Sequence, residues 1–185
     1  MSYATPTSSR AWLRILAVAA VIVLAAATRL VPHPLNVTPI GAIALFGGAH
    51  FANRRLAYLI PLAALLVGDF VIGFHVLMPF VYVCFAVMVG LGRLLRGRRS
   101  AGRVAGAALA GSFLFYLVTN FGVWLLLGTY PMTLEGLLAC YIAGLPYLGR
   151  TLLGDLGFTV VLFGGFALAE RRFPALRPQA AASFA

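Results

Sequence analysis

Six runs of apolar residues, broken by proline, glycine and charge, decide most of what this chain can become. They fall near residues 11–31, 38–52, 56–74, 78–95, 104–127 and 150–169. A helix that crosses a bilayer needs about 20 mostly apolar residues, and most of these runs approach that length. Inside hydrocarbon every backbone amide must find its partner within the protein, which excludes open sheet edges. The expectation is an all-α integral membrane bundle of six transmembrane helices. Composition agrees: 62% of the 185 residues are hydrophobic and 10% charged, too apolar for a soluble domain of this size. Residues 11–170 form the membrane domain, between tails 1–10 and 171–185, and nothing is left over for a soluble catalytic domain.

Three segments need separate readings. The first run follows Arg10 and Arg14 and ends in AAATR, which resembles a signal peptide with a small-residue cleavage site; a retained first helix is the simpler expectation. The second run is short and opens at NVTP, where Asn36 or Thr38 can cap a helix and Pro39 suits its first turn. Between the last two runs lies TYPMTLEGLLACYIAGLPYLG, residues 129–149, bracketed by Pro131 and Pro146. It predicts a short helix lying at the membrane surface or folded back into the protein.

The net charge of +10 is carried by fourteen arginines and no lysine. Nucleic acid is not the partner this implies, because the arginines sit in short clusters between apolar runs, as the topology signal of a membrane protein does. With the N-terminus inside, twelve of the fourteen fall on inner segments: Arg10, Arg14, Arg54, Arg55, Arg93, Arg96, Arg98, Arg99, Arg103, Arg171, Arg172 and Arg177. Both termini are then cytoplasmic, and the expected location is a bacterial cytoplasmic (inner) membrane, crossed several times. Arg29 and Arg150 are the two exceptions, at the outer ends of the first and sixth runs.

Other scarce polar residues gather at that same outer depth. His33 and Asn36 lie in the first outer loop, Asp69 near the outer end of the third run, Asn120 in the outer half of the fifth. Glu135 and Tyr141 lie in the long outer segment, and Asp155 lies early in the sixth run. A charged side chain in hydrocarbon costs several kcal/mol unless it faces the bundle interior or a wet cavity and finds a partner. For Asp69 the partners in reach are Arg29 or Arg150, either as a structural ion pair or as the wall of a polar hollow. Read as a set, His33, Asn36, Asp69, Tyr82, Asn120, Tyr141, Arg150 and Asp155 are the candidate substrate-binding residues of an outward-facing pocket. Tyr82, Tyr116, Tyr130, Tyr141 and Tyr147 with Trp124 crowd the outer side, partly as an interfacial belt and partly as stacking surface for a planar ligand.

Cys84 and Cys140 show no disulfide or metal spacing, and three scattered histidines make no metal site. Cys84, in FVYVCFAV, reads as a small buried hydrophobe; if the hollow reaches it, its thiol can ligate a transition metal carried by the ligand. Cys140 is less well placed for that. The alanines of the first run, and Gly102, Gly106 and Ala110 at four-residue spacing, suit close helix packing or docking of a second membrane protein. No Ser/His/Asp set or paired carboxylates converge, so an enzyme is not expected. No phosphate-binding loop of the GxxxxGK[ST] kind is present, so any ATP-driven step needs partner proteins.

NVTPIGAIALFGGAHF, GDFVIGF, TNFGVWLLLGTYPMTLEGLLACYIAGLPY and TLLGDLGF, in that order over roughly residues 11–170, resemble a family of small bacterial membrane proteins described as transport proteins. That family is similar to the substrate-binding S components of energy-coupling factor vitamin transporters. The resemblance implies six helices, both termini inside, and a pocket near the outer face closed by the first outer loop. It also implies a small-residue face on the first helix that docks an energising module. Within that group the chain is most similar to BtuM-type cobalamin transporters, which can act without a dedicated module. That similarity implies cobalamin as substrate, no intrinsic cofactor, and Cys84 as the thiol that meets cobalt and displaces its cyanide ligand. A structural or scaffold membrane protein, whose polar groups only pair with one another, is the competing expectation.

Overall fold

The computed structural model describes residues 7–32 and 36–178, and among these there are helices and no strands. The helices are α1 (Thr7–Ala27), α2 (Ile40–His50), α3 (Arg54–Ile72), α4 (Met78–Leu94), α5 (Ala101–Leu126), α6 (Leu134–Thr159) and α7 (Gly165–Arg172). A 3-10 turn, Thr28–Leu30, extends α1, and a π-turn, Val160–Gly164, joins α6 to α7 without a break. Four runs are long and apolar enough to cross a membrane: Ser9–Leu30, Arg54–Ile72, Ala101–Leu126 and Leu134–Arg172. Their outward sides expose Leu24, Val67, Phe70, Leu153 and Val160, an apolar surface that hydrocarbon satisfies and water does not.

The second apolar run behaves differently from the others. All eleven residues of α2 are buried, and the helix rises only about 16 Å. A helix apolar on every side is a core helix, and α2 is enclosed by α1, α3, α4, α5 and α6. Its tightest neighbour is α4. A Cβ built on Gly48 would lie 2.2 Å from the Val89 carbonyl oxygen, and one on Gly92 would lie 2.2 Å from that of Leu45. Glycine at both places lets the two backbones touch, the packing that holds helices together in lipid. Around α2 the core is built from Val18 and Ile22 of α1, Leu65 of α3, and Phe85, Met88 and Val89 of α4.

Neither Asn36 nor Thr38 caps α2; Pro39 stands at its N-cap with no side-chain hydrogen bond. Asn36 instead takes a left-handed backbone, φ 65°, which asparagine tolerates, and turns its amide to α6. The expected surface helix at 129–149 is corrected too: residues 134–172 form one helical run of 39 residues, about 58 Å long. Gly136, Cys140 and Gly144 supply its continuity, a small buried row at four-residue spacing that seats α6 against α5 and the preceding turn. That contact carries the helix through Pro146, whose ring removes one ladder bond but which neighbouring helices make tolerable. Gly102 and Gly106 pack against nothing within 4 Å, so that small-residue row is not a seam of this bundle.

Arginines gather at one end. Arg14 pairs with Glu170 at 3.0 Å, Arg99 approaches the same carboxylate at 3.6 Å, and Arg96 donates to the Ala52 carbonyl at 3.0 Å. Asn53 caps α3 there, accepting from the backbone N–H of Arg55 at 2.8 Å.

Candidate functional site

At the end opposite the arginines, α2 stops short and its place is taken by space. The hollow has a volume of about 610 Å³. Its walls come from the 36–38 segment, the first turn of α2, α4, α5 and α6, with Arg29 from the end of α1. Valine, phenylalanine and methionine side chains of α4 and α5 make one side apolar. The polar groups come mainly from α6 and the segment that leads into α2.

Asp155 lies at the inner limit of this hollow. It is 5% exposed, and its Oδ2 accepts a 2.7 Å hydrogen bond from Ser112 of α5. Oδ1 rests on α2, so close that a Cβ on Gly41 would come within 2.3 Å of it. Among the described residues, no arginine or histidine is a hydrogen-bond or ion-pair partner of Asp155. One turn above, Thr151 donates to the Tyr147 carbonyl at 3.0 Å and accepts from Asn36 Nδ2 at 3.4 Å. Asn120 donates to the Tyr116 carbonyl at 2.8 Å and fits against Gly144, while the Cys140 thiol donates to the Asn120 carbonyl at 3.3 Å.

Asp69 belongs to a neighbouring network rather than to the wall. Arg29 Nη2 donates to its Oδ1 at 3.0 Å, and the Tyr82 hydroxyl donates to its Oδ2 at 2.8 Å. Arg29 Nη1 also reaches the Leu65 carbonyl at 3.4 Å. Three helices, α1, α3 and α4, are tied by one carboxylate whose charge is balanced in place.

Of the residues that the sequence singles out, Asn36, Asn120 and Asp155 line the hollow, together with Arg29. Asp69 and Tyr82 stand behind Arg29. Tyr141 lies on the α5–α6 seam, where its hydroxyl donates to the Leu117 carbonyl at 2.9 Å and its own carbonyl accepts from Tyr116 at 2.6 Å. Arg150 does not approach Asp69; it is exposed, with its guanidinium 6.0 Å from the Tyr147 ring. His33 lies outside the described residues. Cys84 is fully buried in α4 and is absent from the wall, so the thiol that faces the hollow is that of Cys140. The physical reason is rotation: Cys84 has the expected depth, but α4 turns it into the core beside Phe85. Thr119 and Thr151 are wall residues that sequence reasoning missed, while Tyr130 and Tyr147, expected as stacking surface on the outer side, and Cys140, expected to be less well placed than Cys84, line the wall as well. The small buried row of α6 was the available signal, since continuing it past Pro146 leads to Thr151 and Asp155. Among the described residues no three of His, Cys, Asp and Glu converge as a metal site.

A second hollow of about 670 Å³ opens at the arginine end, lined by His50, Phe163, Thr159, Arg99 and Glu170 among others. Asp155 and Thr159, one helical turn apart, face different hollows.

A sequence family described as a family of unknown function (DUF6580) matches residues 9–176. No curated protein and no solved structure matches the chain.

Proposed function

The chain belongs to the DUF6580 family, and we propose that it is a membrane substrate-binding and uptake protein for a vitamin-like small molecule. The observation that carries this reading is the hollow with Asp155 at its floor. Small-molecule sites typically enclose about 300–1,000 Å³, mostly apolar with a few placed polar groups, and about 610 Å³ falls within that range. An ionisable side chain at membrane depth marks a ligand or ion path by default. In the orientation that the arginines favour, six crossings of a bacterial cytoplasmic membrane put both termini inside and the hollow outside. That is the arrangement of an S-component-like binding protein. An ATP-driven step would come from a partner module, since the chain has no lysine and no phosphate-binding loop.

Cobalamin is the first candidate to test. A molecule as large as a corrinoid would extend beyond the mouth of the hollow. Cys140 is the thiol on the wall, and to meet the cobalt its Sγ would have to turn from the Asn120 carbonyl, whereas Cys84 would have to leave the core. A structural role is favoured for one part only, the balanced Arg29–Asp69–Tyr82 network.

The test is purification of the full chain from its membrane, with absorbance and mass spectrometry of whatever small molecule accompanies it. A ligand near one per chain is expected, and it should be lost in Ala143→Trp, which fills the hollow. A chain that carries nothing, and whose Ala143→Trp variant supports growth on every scarce vitamin as well as the parent does, would return the protein to the scaffold reading.

A further inference from the structure

We infer that the hollow takes its ligand by a positively charged group set against Asp155. This deepens the binding reading above and rests on it.

The charges that face the hollow do not balance. The hollow contains one guanidinium, Arg29, and it is committed to Asp69 at 3.0 Å. Asp155, 5% exposed, has a neutral hydroxyl as its hydrogen-bond partner. Among the described residues, Gly41 of α2 and Ser112 of α5 pack on it and Thr151 lies one turn away on its own helix; His75 stands at the rim and is exposed. None of the first three carries charge. What tempers the carboxylate is the N-terminus of α2, which begins at Ile40 beside Oδ1. A helix N-terminus is worth roughly half a positive charge, too little to neutralise a carboxylate. A buried ion without a full partner is costly, and a partner that arrives recovers that cost as affinity.

The walls suit the same ligand. Phe85, Phe115, Tyr130 and Tyr147 line the hollow, and ring faces attract cations, most strongly where water is excluded. Space of about 610 Å³ admits an organic ligand of roughly 20 to 30 non-hydrogen atoms at close packing. What fills the hollow is a planar or compact organic cation, a quaternary nitrogen, amidinium or protonated amine on an aromatic frame, either as the whole ligand or as the buried part of a larger one. An anion of the same size would meet Asp155 with no free guanidinium among the described wall residues to offset it.

Charge-selective thiol labelling tests this without knowing the ligand. Ala143 lines the hollow and is exposed, so Ala143→Cys in a Cys84→Ser/Cys140→Ser background places one reporter thiol there. Its rates with a trimethylammonium and a sulfonate methanethiosulfonate are each divided by the rate with 2-mercaptoethanol. The cationic reagent should be preferred, and Asp155→Asn should reduce that preference about tenfold, as one charge acting oppositely on the two reagents at ~18 Å, the rise of twelve helical residues, requires at an effective dielectric of about 25. Asp155→Glu should keep it. An unchanged ratio in Asp155→Asn, or preference for the sulfonate in the parent, overturns the cationic assignment while leaving a binding hollow. If neither reagent reacts, there is no water-filled hollow, and the binding reading falls with it. Should Asp155→Asn fail to fold, protection decides: phenyltrimethylammonium should slow labelling of the Asp155 form, and equal protection by benzyl alcohol or benzoate overturns the inference.

Discussion

Two aspartates at membrane depth have opposite surroundings. Asp69 is balanced by Arg29 and held by Tyr82, while Asp155 has a hydroxyl and a helix terminus. Their substitutions should therefore separate. Removing one partner of a buried ion pair leaves the other charge stranded, at a cost of about 3–5 kcal/mol. Asp69→Asn should lower the unfolding free energy in detergent by about 3 kcal/mol, and the double variant Arg29→Met/Asp69→Leu should recover part of that loss. Reagent preference at Ala143→Cys should be unmoved by the double variant, which removes a balanced pair, whereas Asp69→Asn frees the Arg29 guanidinium on the wall and should lower the cationic preference. A stable Asp69→Asn protein would show that the ion pair contributes little to holding α1 on α3. Arg29 was legible as a partner of Asp69 because both lie at the outer ends of apolar runs. That Arg150 would turn away was not legible, since it shares the same depth and differs only in which way it points.

Among the elements, α2 is the one on which the site depends. Because it is short and buried on all sides, its first turn ends inside the protein and leaves the hollow above it. Its position is set by backbone contact with α4. Gly48→Leu places a side chain where even a Cβ would be 2.2 Å from the Val89 carbonyl oxygen. Overpacking of this kind costs about 1–3 kcal/mol or more, so Gly48→Leu should lower the thermal unfolding midpoint markedly. Gly106→Leu, where a Cβ meets nothing within 4 Å, should change stability by less than about 0.5 kcal/mol. Equal effects at the two glycines would contradict close packing of α2 on α4. The run from Leu134 to Arg172 carries the complementary lesson. Pro146 looks like a boundary when read locally, and the helix passes through it because α5 offers a continuous surface for Gly136, Cys140 and Gly144.

For the whole molecule, the separation of an arginine-rich end from a hollow end predicts a sidedness. In the Cys84→Ser/Cys140→Ser background, Arg150→Cys should react with an impermeant maleimide on intact spheroplasts, and Arg98→Cys only after permeabilisation. The reverse pattern would put the hollow on the cytoplasmic side and remove the uptake reading.

Helical content, the apolar surface and the gathering of arginines at one end were determined by the sequence by itself, because hydropathy and charge are properties of segments and accumulate along the chain. Depth follows from the same count, and so Asn36, Asn120 and Asp155 could be placed at one level before any fold was known. Direction around each helix axis is a different quantity. In a helix that is apolar on every side it leaves no periodic trace, and only contacts between helices decide it. Tertiary packing alone therefore chose Cys140 over Cys84 for the wall, Arg29 over Arg150 for Asp69, and Asp155 as the buried carboxylate that has no counter-charge among the described residues.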